Sequence, residues 1–153
     1  MSRDDYDSPW KEMIERLFEP FMAFFFPQAH RQIDWSRGFE FLDKQLQKVT
    51  RQAESHRRTV DKLVRVWLKK GRELWVLIHI EVQGQRESEF TRRVFACNYR
   101  LFDRYDQPVA SLVILSDAHR NWRPQEFGYT VFGCSMRLRF PAVKLLDYSE
   151  QIH

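Results

Sequence analysis

One stretch, residues 60–83, constrains the fold more than any other, because it has the pattern of two long β-strands joined at Lys-Lys-Gly. Side chains alternate between the two faces of a strand. Its even positions are almost purely apolar and predict a face turned toward the core: Val64, Val66, Leu68, Leu74, Val76, Ile78, Ile80 and Val82. Lys62 interrupts this run. The odd positions of the second strand become polar toward its end, at His79, Glu81 and Gln83.

The turn between the two strands determines which residues face each other. A two-residue loop at Lys70 and Gly71 would need a positive φ at Lys70, where Asn, Asp or Gly is normally found. A three-residue loop from Lys69 to Gly71 needs a positive φ only at the glycine. We therefore expect the three-residue loop, with Leu68 paired to Arg72.

This register places Asp61 across from His79, so that the two share one face with Glu81 and Gln83. The shorter loop would instead turn Asp61 into the apolar layer. Two carboxylates at one end of a rigid hairpin suit a hard cation such as Mg²⁺, which prefers oxygen ligands. The Val82 carbonyl, between Glu81 and Gln83, would complete the protein's share of the ligands.

Two other interpretations of these polar residues remain open. The acids could be an ordinary strand end, solvated or paired with Arg65 or Arg58. We expect His79 to be a hydrogen-bonded residue of the site wall, since Mg²⁺ prefers oxygen to imidazole nitrogen.

The bulk composition indicates a single folded domain. The chain has 153 residues, 43% of them apolar, with 13 Phe and five Trp, which supplies a core and excludes disorder. Lys and Arg exceed Asp and Glu by 25 to 21, a mild excess compatible with a polyanionic partner. Cys97 and Cys134 form no metal motif and suggest reduced thiols. Without a signal peptide or a run of about 20 apolar residues, we expect a cytoplasmic protein and no membrane partner.

The segment from about residue 8 to Pro27 predicts a helix. Asp7 or Ser8 can cap it, with Pro9 in its first turn. Pro20 lies inside the apolar helical pattern, so the helix should kink or restart there. Pro27 marks its end.

The next segment predicts a connection over residues 28–38, closed by Gly38, and a first strand at Phe39 and Phe41. Residues 42–49 fit either a helix or a continued strand. Residues 50–58 form a polar loop with three arginines, which is either solvated or turned toward a bound polyanion.

After the hairpin, the apolar spacing predicts a helix from about Glu89 to Asp106. The run V-A-S-L-V-I-L-S-D then predicts a buried strand, which can lie parallel to a neighbour because a helix precedes it. Short strands are expected at Y-T-V-F, M-R-L-R-F and V-K-L-L, with Arg137 and Arg139 pointing outward. The resulting order is helix, strand, two-stranded hairpin, helix, strand.

This αβββαβ order, with an Asp opening the second strand and Glu-x-Gln ending the third, resembles the PD-(D/E)XK nucleases. The segments V-D-K-L-V-R-V, L-I-H-I-E-V-Q-G-Q and F-T-R-R-V-F-A-C-N-Y-R-L-F-D-R-Y are similar to the recombination-promoting nuclease / putative transposase family. The resemblance covers nearly the whole chain. It implies an α/β fold with a restriction-endonuclease-like core over about 8–117, a mixed sheet flanked by helices, and a small β-rich C-terminal extension over about 118–153.

The resemblance also implies a metal-dependent DNA endonuclease that hydrolyses phosphodiester bonds, in mobile-element recombination or phage defence. Asp61 and Glu81 match its metal-binding acids, with Mg²⁺ or Mn²⁺ as the cofactor and the Val82 carbonyl assisting. Gln83 stands where many superfamily members carry Lys, and would orient water. Glu12 or Glu15, with Glu15 preferred, is the candidate for the assisting acid of the first helix.

DNA is the expected partner, with the phosphate backbone contacted by basic residues among Arg57, Arg58, Arg92 and Arg93. A homodimer is possible, since coordinated cutting of both strands would need one. The alternative is a catalytically degenerate nuclease-fold module that binds nucleic acid or a protein partner.

Overall fold

The computed structural model of the chain describes residues 3–50, 59–70 and 74–151. Within these ranges the strands are β1 (Phe39–Phe41), β2 (Thr59–Trp67), β3 (Trp75–Gln83), β4 (Val109–Leu115), β5 (Glu126–Val131), β6 (Cys134–Arg139) and β7 (Ala142–Lys144). The α-helices are α1 (Arg3–Arg16), α2 (Phe18–Phe25), α3 (Pro27–Gln32), α4 (Asp43–Thr50), α5 (Phe90–Tyr105) and α6 (Leu145–Gln151), and a 3-10 turn spans Trp35–Arg37.

The strands form a mixed five-stranded sheet in the order β1-β2-β3-β4-β7 and a separate hairpin of β5 and β6. Strands β1, β2 and β3 are antiparallel, whereas β3, β4 and β7 run parallel. The predicted α/β class, with a mixed sheet flanked by helices, is confirmed. The residues after 118 form the separate hairpin, then β7, which joins the main sheet beside β4, and then helix α6.

The two faces of the sheet are covered by different helices. The even positions of β2 and β3 pack against α1, α2 and the segment that follows them, in a core that includes Ile14, Phe18, Phe21, Met22, Val64, Val66, Ile78, Ile80 and Val82. The odd positions face α4 and α5, in a second core of Leu46, Leu63, Leu77, Cys97 and Leu101. The two-residue alternation therefore separates the faces as the sequence predicts.

The N-terminal helix differs from the prediction at its start and agrees at its break. It begins at Arg3, so Asp7 and Ser8 are not at its start and Pro9 is internal. The helix restarts at Phe18, which places Pro20 in the first turn of α2. Pro20 has no N–H for a bond to the residue four positions earlier, and its ring would crowd that carbonyl. No helix in the described ranges is long and apolar enough to cross a bilayer.

Residues 42–49, for which both interpretations were open, belong mostly to helix α4. The Asp43 carboxylate accepts a bond from the Leu63 N–H, which ties the start of α4 to β2. Residues 28–38 contain helix α3 and the 3-10 turn, and Gly38 closes them with a φ of 78°. A positive φ of this size favours glycine.

The predicted hairpin register is wrong by two residues. Asp61 lies across from Glu81 and not from His79, and the Leu68 N–H donates to the Leu74 carbonyl, 3.1 Å away. The connection is therefore residues 69–73, longer than the predicted three-residue loop. Gly71 itself lies outside the described residues.

A cluster of side chains across β2 and β3 favours the observed register over the predicted one. Trp67 pairs directly with Trp75, and the Arg65 guanidinium lies 5.1 Å and 5.2 Å from their ring centroids. Aromatic pairs and cation–π contacts stabilise a register that turn propensity alone does not reveal. A shift of two residues keeps every side chain on its predicted face.

Candidate functional site

Three potential metal ligands converge on the face of the sheet that helix α5 covers. The His79 Nε2 lies 3.3 Å from Asp61 Oδ1 and 3.7 Å from Glu81 Oε1. One ligand atom from each of the three residues lies within 4.8 Å of the others. His79 and Glu81 are buried, whereas the Asp61 side chain is 34% exposed, so the cluster opens to solvent at Asp61.

The corrected register makes the two acids direct neighbours. Since Leu68 and Leu74 form a hydrogen-bonded pair and such pairs alternate, Asp61 and Glu81 form a non-hydrogen-bonded pair. Side chains approach most closely in such pairs, with Cα atoms about 4.5 Å apart. Like charges directly opposite each other are destabilising. A cation between these carboxylates would relieve that repulsion.

The donor set and its spacing fit a divalent cation. Ligands about 2.1 Å from one ion are separated by roughly 3.0 Å at right angles and 3.5 Å at tetrahedral angles. The separations of His79 Nε2 from Asp61 Oδ1 and Glu81 Oε1 are close to this range. Val82 pairs with Val60, and because its side chain is buried on the opposite face, only its carbonyl would contribute.

Burial, and then the nearby charge of Asp61, raises the pKa of Glu81 to about 7, while Arg93 and His79 act in the opposite direction. The two oxygens of Glu81 have different partners. Oε1 faces His79, whereas Oε2 accepts a hydrogen bond from the Arg93 guanidinium at 2.9 Å. Glu81 therefore joins the potential metal ligands to a buried cation.

His79 is held by residues from two neighbouring elements. Its Nδ1 lies 3.1 Å from the Ser111 hydroxyl on β4, and Asn98 of α5 donates to the same hydroxyl. The Cys97 sulfur lies 3.6 Å from Nε2. Burial opposes protonation of His79, but Cys97 and the Asp61 carboxylate raise its pKa well above the ordinary value. The ring is therefore oriented with Nε2 toward the acids.

Arg93 is an inner residue of the site. It donates to Glu81 Oε2 at 2.9 Å, to Gln83 Oε1 at 3.0 Å and to Glu87 Oε1 at 2.8 Å, and its side chain is only 14% exposed. Burial alone would lower the pKa of Arg93, but the charges and hydrogen bonds of Glu81 and Glu87 outweigh it and raise the pKa overall. The guanidinium therefore remains charged. From the sequence, Arg93 was expected either to contact phosphate or to pack on the sheet. Its spacing of four residues from buried Cys97 was the signal that it faces the sheet.

Gln83 is fully buried and bonded on both sides of its amide. Its Oε1 accepts from Thr59 and Arg93, and its Nε2 donates to the Gln85 carbonyl. An amide oxygen has two lone pairs, and both are used here. Gln83 therefore holds Arg93 beside the acids, and because its Nε2 has a second N–H, its expected role in orienting water stays a prediction.

Glu15 lies apart from the cluster. It forms an ion pair with Lys62, which also pairs with Asp43. Lys62 directly follows Asp61 in β2, so the two side chains leave opposite faces of the sheet. The structure thus brings Asp61, Glu81 and Gln83 together and does not bring Glu15 to them.

The predicted DNA contacts fall in three different places. Arg92 is on the surface, 73% exposed, with its guanidinium 4.0 Å from Glu89. Arg93 is buried in the site. Arg57 and Arg58 lie outside the described residues. The structure therefore leaves Arg92 as the exposed member of the predicted set within the described ranges.

Comparison of the chain with models of protein families, with curated proteins and with solved structures finds no match in any of the three.

Proposed function

We propose that the chain is a divalent-metal-dependent DNA endonuclease with a restriction-endonuclease-like core. The observation that supports this function best is the convergence of Asp61, His79 and Glu81, with ligand atoms within 4.8 Å of one another, beside the buried cation Arg93. Two acids that face each other in a cluster open to solvent at Asp61 are an arrangement suited to a metal ion and a phosphate.

Asp61 and Glu81 would hold the cation, Mg²⁺ or Mn²⁺, with the Val82 carbonyl as a further ligand. A cation bound here would acidify a water and offset charge on the phosphate. The exposed side of Asp61 is where a phosphodiester would enter. The buried sheet face behind Glu81 excludes solvent from the other side.

Arg93 would supply the positive charge that Lys supplies in related motifs. The hydrogen bonds to Glu81, Gln83 and Glu87 use three of its five N–H groups, so donors remain for a phosphate oxygen. A preorganised guanidinium stabilises charge that develops in a transition state. Gln83 thereby becomes a positioning residue for Arg93.

DNA would be held by phosphate contacts from exposed arginines, and the 73% exposure of Arg92 would make it available for one of them. Contacts of this kind give affinity without sequence readout, so binding should weaken steeply with salt. A homodimer would allow both strands to be cut.

The alternative is a degenerate module that binds nucleic acid or a protein without cleavage. One observation favours it: Arg93 already neutralises Glu81 at 2.9 Å, so this carboxylate has a charged partner without any metal. In that case the cluster would serve to hold α5 on the sheet.

Plasmid nicking in Mg²⁺ or Mn²⁺ tests the proposal. We expect Glu81→Ala to lower the rate by about a hundredfold or more, because it removes a metal ligand and the partner of Arg93. Glu89→Ala is the matched control, since Glu89 is a 73% exposed glutamate at the start of α5.

Nicking by the wild type and the control, but not by Glu81→Ala, would support the endonuclease. Equal nicking by all three would mean that another site or a contaminant cuts the plasmid. Salt-sensitive DNA binding without cleavage by any of them would favour the degenerate module.

A further inference from the structure

His79 has the position of a ligand as well as that of a wall residue. Its Nε2 lies 3.3 Å from Asp61 Oδ1 and 3.7 Å from Glu81 Oε1, on the same face of the hairpin. Both of these oxygens belong to residues proposed to hold the metal. An ion coordinated by Asp61 Oδ1 and Glu81 Oε1 would therefore have the imidazole nitrogen next to it.

The second nitrogen of the ring is held in the way a metal-bound histidine requires. Nδ1 lies 3.1 Å from the hydroxyl of Ser111, the residue of β4 that lies directly opposite His79 of β3. Asn98 donates to that hydroxyl at 3.0 Å and to the Val109 carbonyl at 3.1 Å. A metal ion would replace the proton that the neighbouring acids favour on Nε2, and with Nδ1–H donating to Ser111 the lone pair of Nε2 would then face the ion.

From this geometry we infer that Asp61, Glu81 and His79 Nε2 together form a mixed oxygen and nitrogen site that selects a first-row transition-metal dication over Mg²⁺, and that Ser111 and Asn98 position its imidazole. The inference rests on the proposed function for the use of the metal and adds the identity of the ion. Imidazole suits transition metals, whereas Mg²⁺ prefers oxygen and retains its waters.

The experiment uses the full chain and Mn²⁺ as the probe. Titration calorimetry should show that the protein binds Mn²⁺ about tenfold or more tightly than Mg²⁺. The electron spin-echo spectrum of the bound Mn²⁺ should contain the nitrogen modulation of a coordinated imidazole. This spectroscopic signature does not depend on cleavage.

Two variants and one control assign the nitrogen. His79→Gln should abolish the nitrogen modulation and most of the preference for Mn²⁺. His119→Gln, at an exposed histidine outside the cluster, should leave both unchanged. Because a buried substitution at residue 79 can impair folding, Ser111→Ala is the second variant: it should keep the modulation and lose about tenfold in Mn²⁺ affinity.

The outcomes separate this inference from the proposed function. Equal affinity for Mn²⁺ and Mg²⁺, or bound Mn²⁺ without nitrogen modulation in the wild type, would overturn the inference while leaving a metal-dependent nuclease possible. Binding of neither ion would overturn both. Nitrogen modulation without any DNA cleavage would support the metal site and contradict the endonuclease.

Discussion

Among the residues that the structure describes, two buried clusters of charge lie on the same side of the sheet and are built differently. Asp117 and Lys144 form a one-to-one pair in which Lys144 Nζ donates to both carboxylate oxygens, at 2.7 Å and 2.9 Å, and to the Trp122 carbonyl. Asp61 and Glu81 instead face each other as two acids. Gln83 and Lys144 are separated only by Leu115 in the same row of the sheet, so location does not explain the difference.

The difference lies in how each buried charge is satisfied. Both members of the Asp117–Lys144 pair are almost fully buried, and the three donors of the ammonium group each have an acceptor. Glu81 has the Arg93 guanidinium as a partner but also faces Asp61 across the two strands, and burial together with that nearby charge raises its pKa to about 7. The first arrangement suits a structural pair, and the second suits a site that gains stability when a cation binds.

The largest expected effect comes from breaking the structural pair. Lys144→Ala should lower the free energy of unfolding by about 3–5 kcal/mol, because it leaves Asp117 buried without a counter-ion. Urea denaturation measures the change. Arg137→Gln in the exposed ion pair with Glu126 is the control and should cost less than about 1 kcal/mol. A similar small cost for Lys144→Ala would show that the two clusters do not differ as described.

The second prediction is an increase in the free energy of unfolding. Glu81→Gln should stabilise the metal-free protein at pH 8, by on the order of 1–2 kcal/mol, because it removes a buried charge that faces Asp61. The folded pKa of Glu81 is raised from 4.5 to about 7, so its ionisation costs stability as pH rises through this window. The loss of a charged partner for Arg93 offsets part of the gain.

Thermal unfolding with a chelator at pH 5.5 and pH 8 measures this effect. The advantage of Glu81→Gln should be smaller at pH 5.5, which is near the lower end of the window from 4.5 to about 7, than at pH 8, which is above it. A variant that is less stable than the wild type at both values would mean that the Arg93 ion pair outweighs the repulsion by Asp61.

The smallest effect concerns Glu15, the preferred candidate for the assisting acid that the family resemblance implies. Glu15→Gln should leave plasmid nicking unchanged within error, because Glu15 binds Lys62 on the other face of the sheet. It should cost less than about 1 kcal/mol, since Glu15 is half exposed and Lys62 keeps Asp43. Glu12→Gln on the same helix is the control.

A fall in nicking of about a hundredfold, which is the effect expected when a general acid or base is lost, would mean that Glu15 takes part in catalysis. Circular dichroism of the variant would show whether such a fall reflects unfolding.

Much of the fold could be predicted because it depends on local pattern. The alternation over residues 60–83 predicts two strands and their faces, and the spacing after Glu89 predicts helix α5, which spans Phe90–Tyr105. The break before Pro20 follows from the missing N–H of proline. The start of α1 could not be predicted in this way, because a favourable cap at Ser8 did not prevent the helix from extending to Arg3.

The site was only partly predictable, because local pattern determines the face on which a side chain lies but not the residue that it contacts. Asp61, His79, Glu81 and Gln83 lie on one face because a strand has a period of two. Which of them lie directly opposite each other depends on the register of β2 and β3. The contacts of Arg65 with Trp67 and Trp75 favour a register that differs by two residues from the one predicted from the turn.

The sequence by itself determined the class of the fold, the two faces of the central hairpin and the residue types available for chemistry, because these follow from side-chain periodicity and composition. Only the tertiary structure decided that Arg93 binds Glu81, that Ser111 contacts His79, and that Glu15 forms an ion pair with Lys62. Each of these contacts joins side chains from different elements of the fold. Such contacts depend on how helices pack on the sheet, and neighbouring residues in the sequence carry little information about that packing.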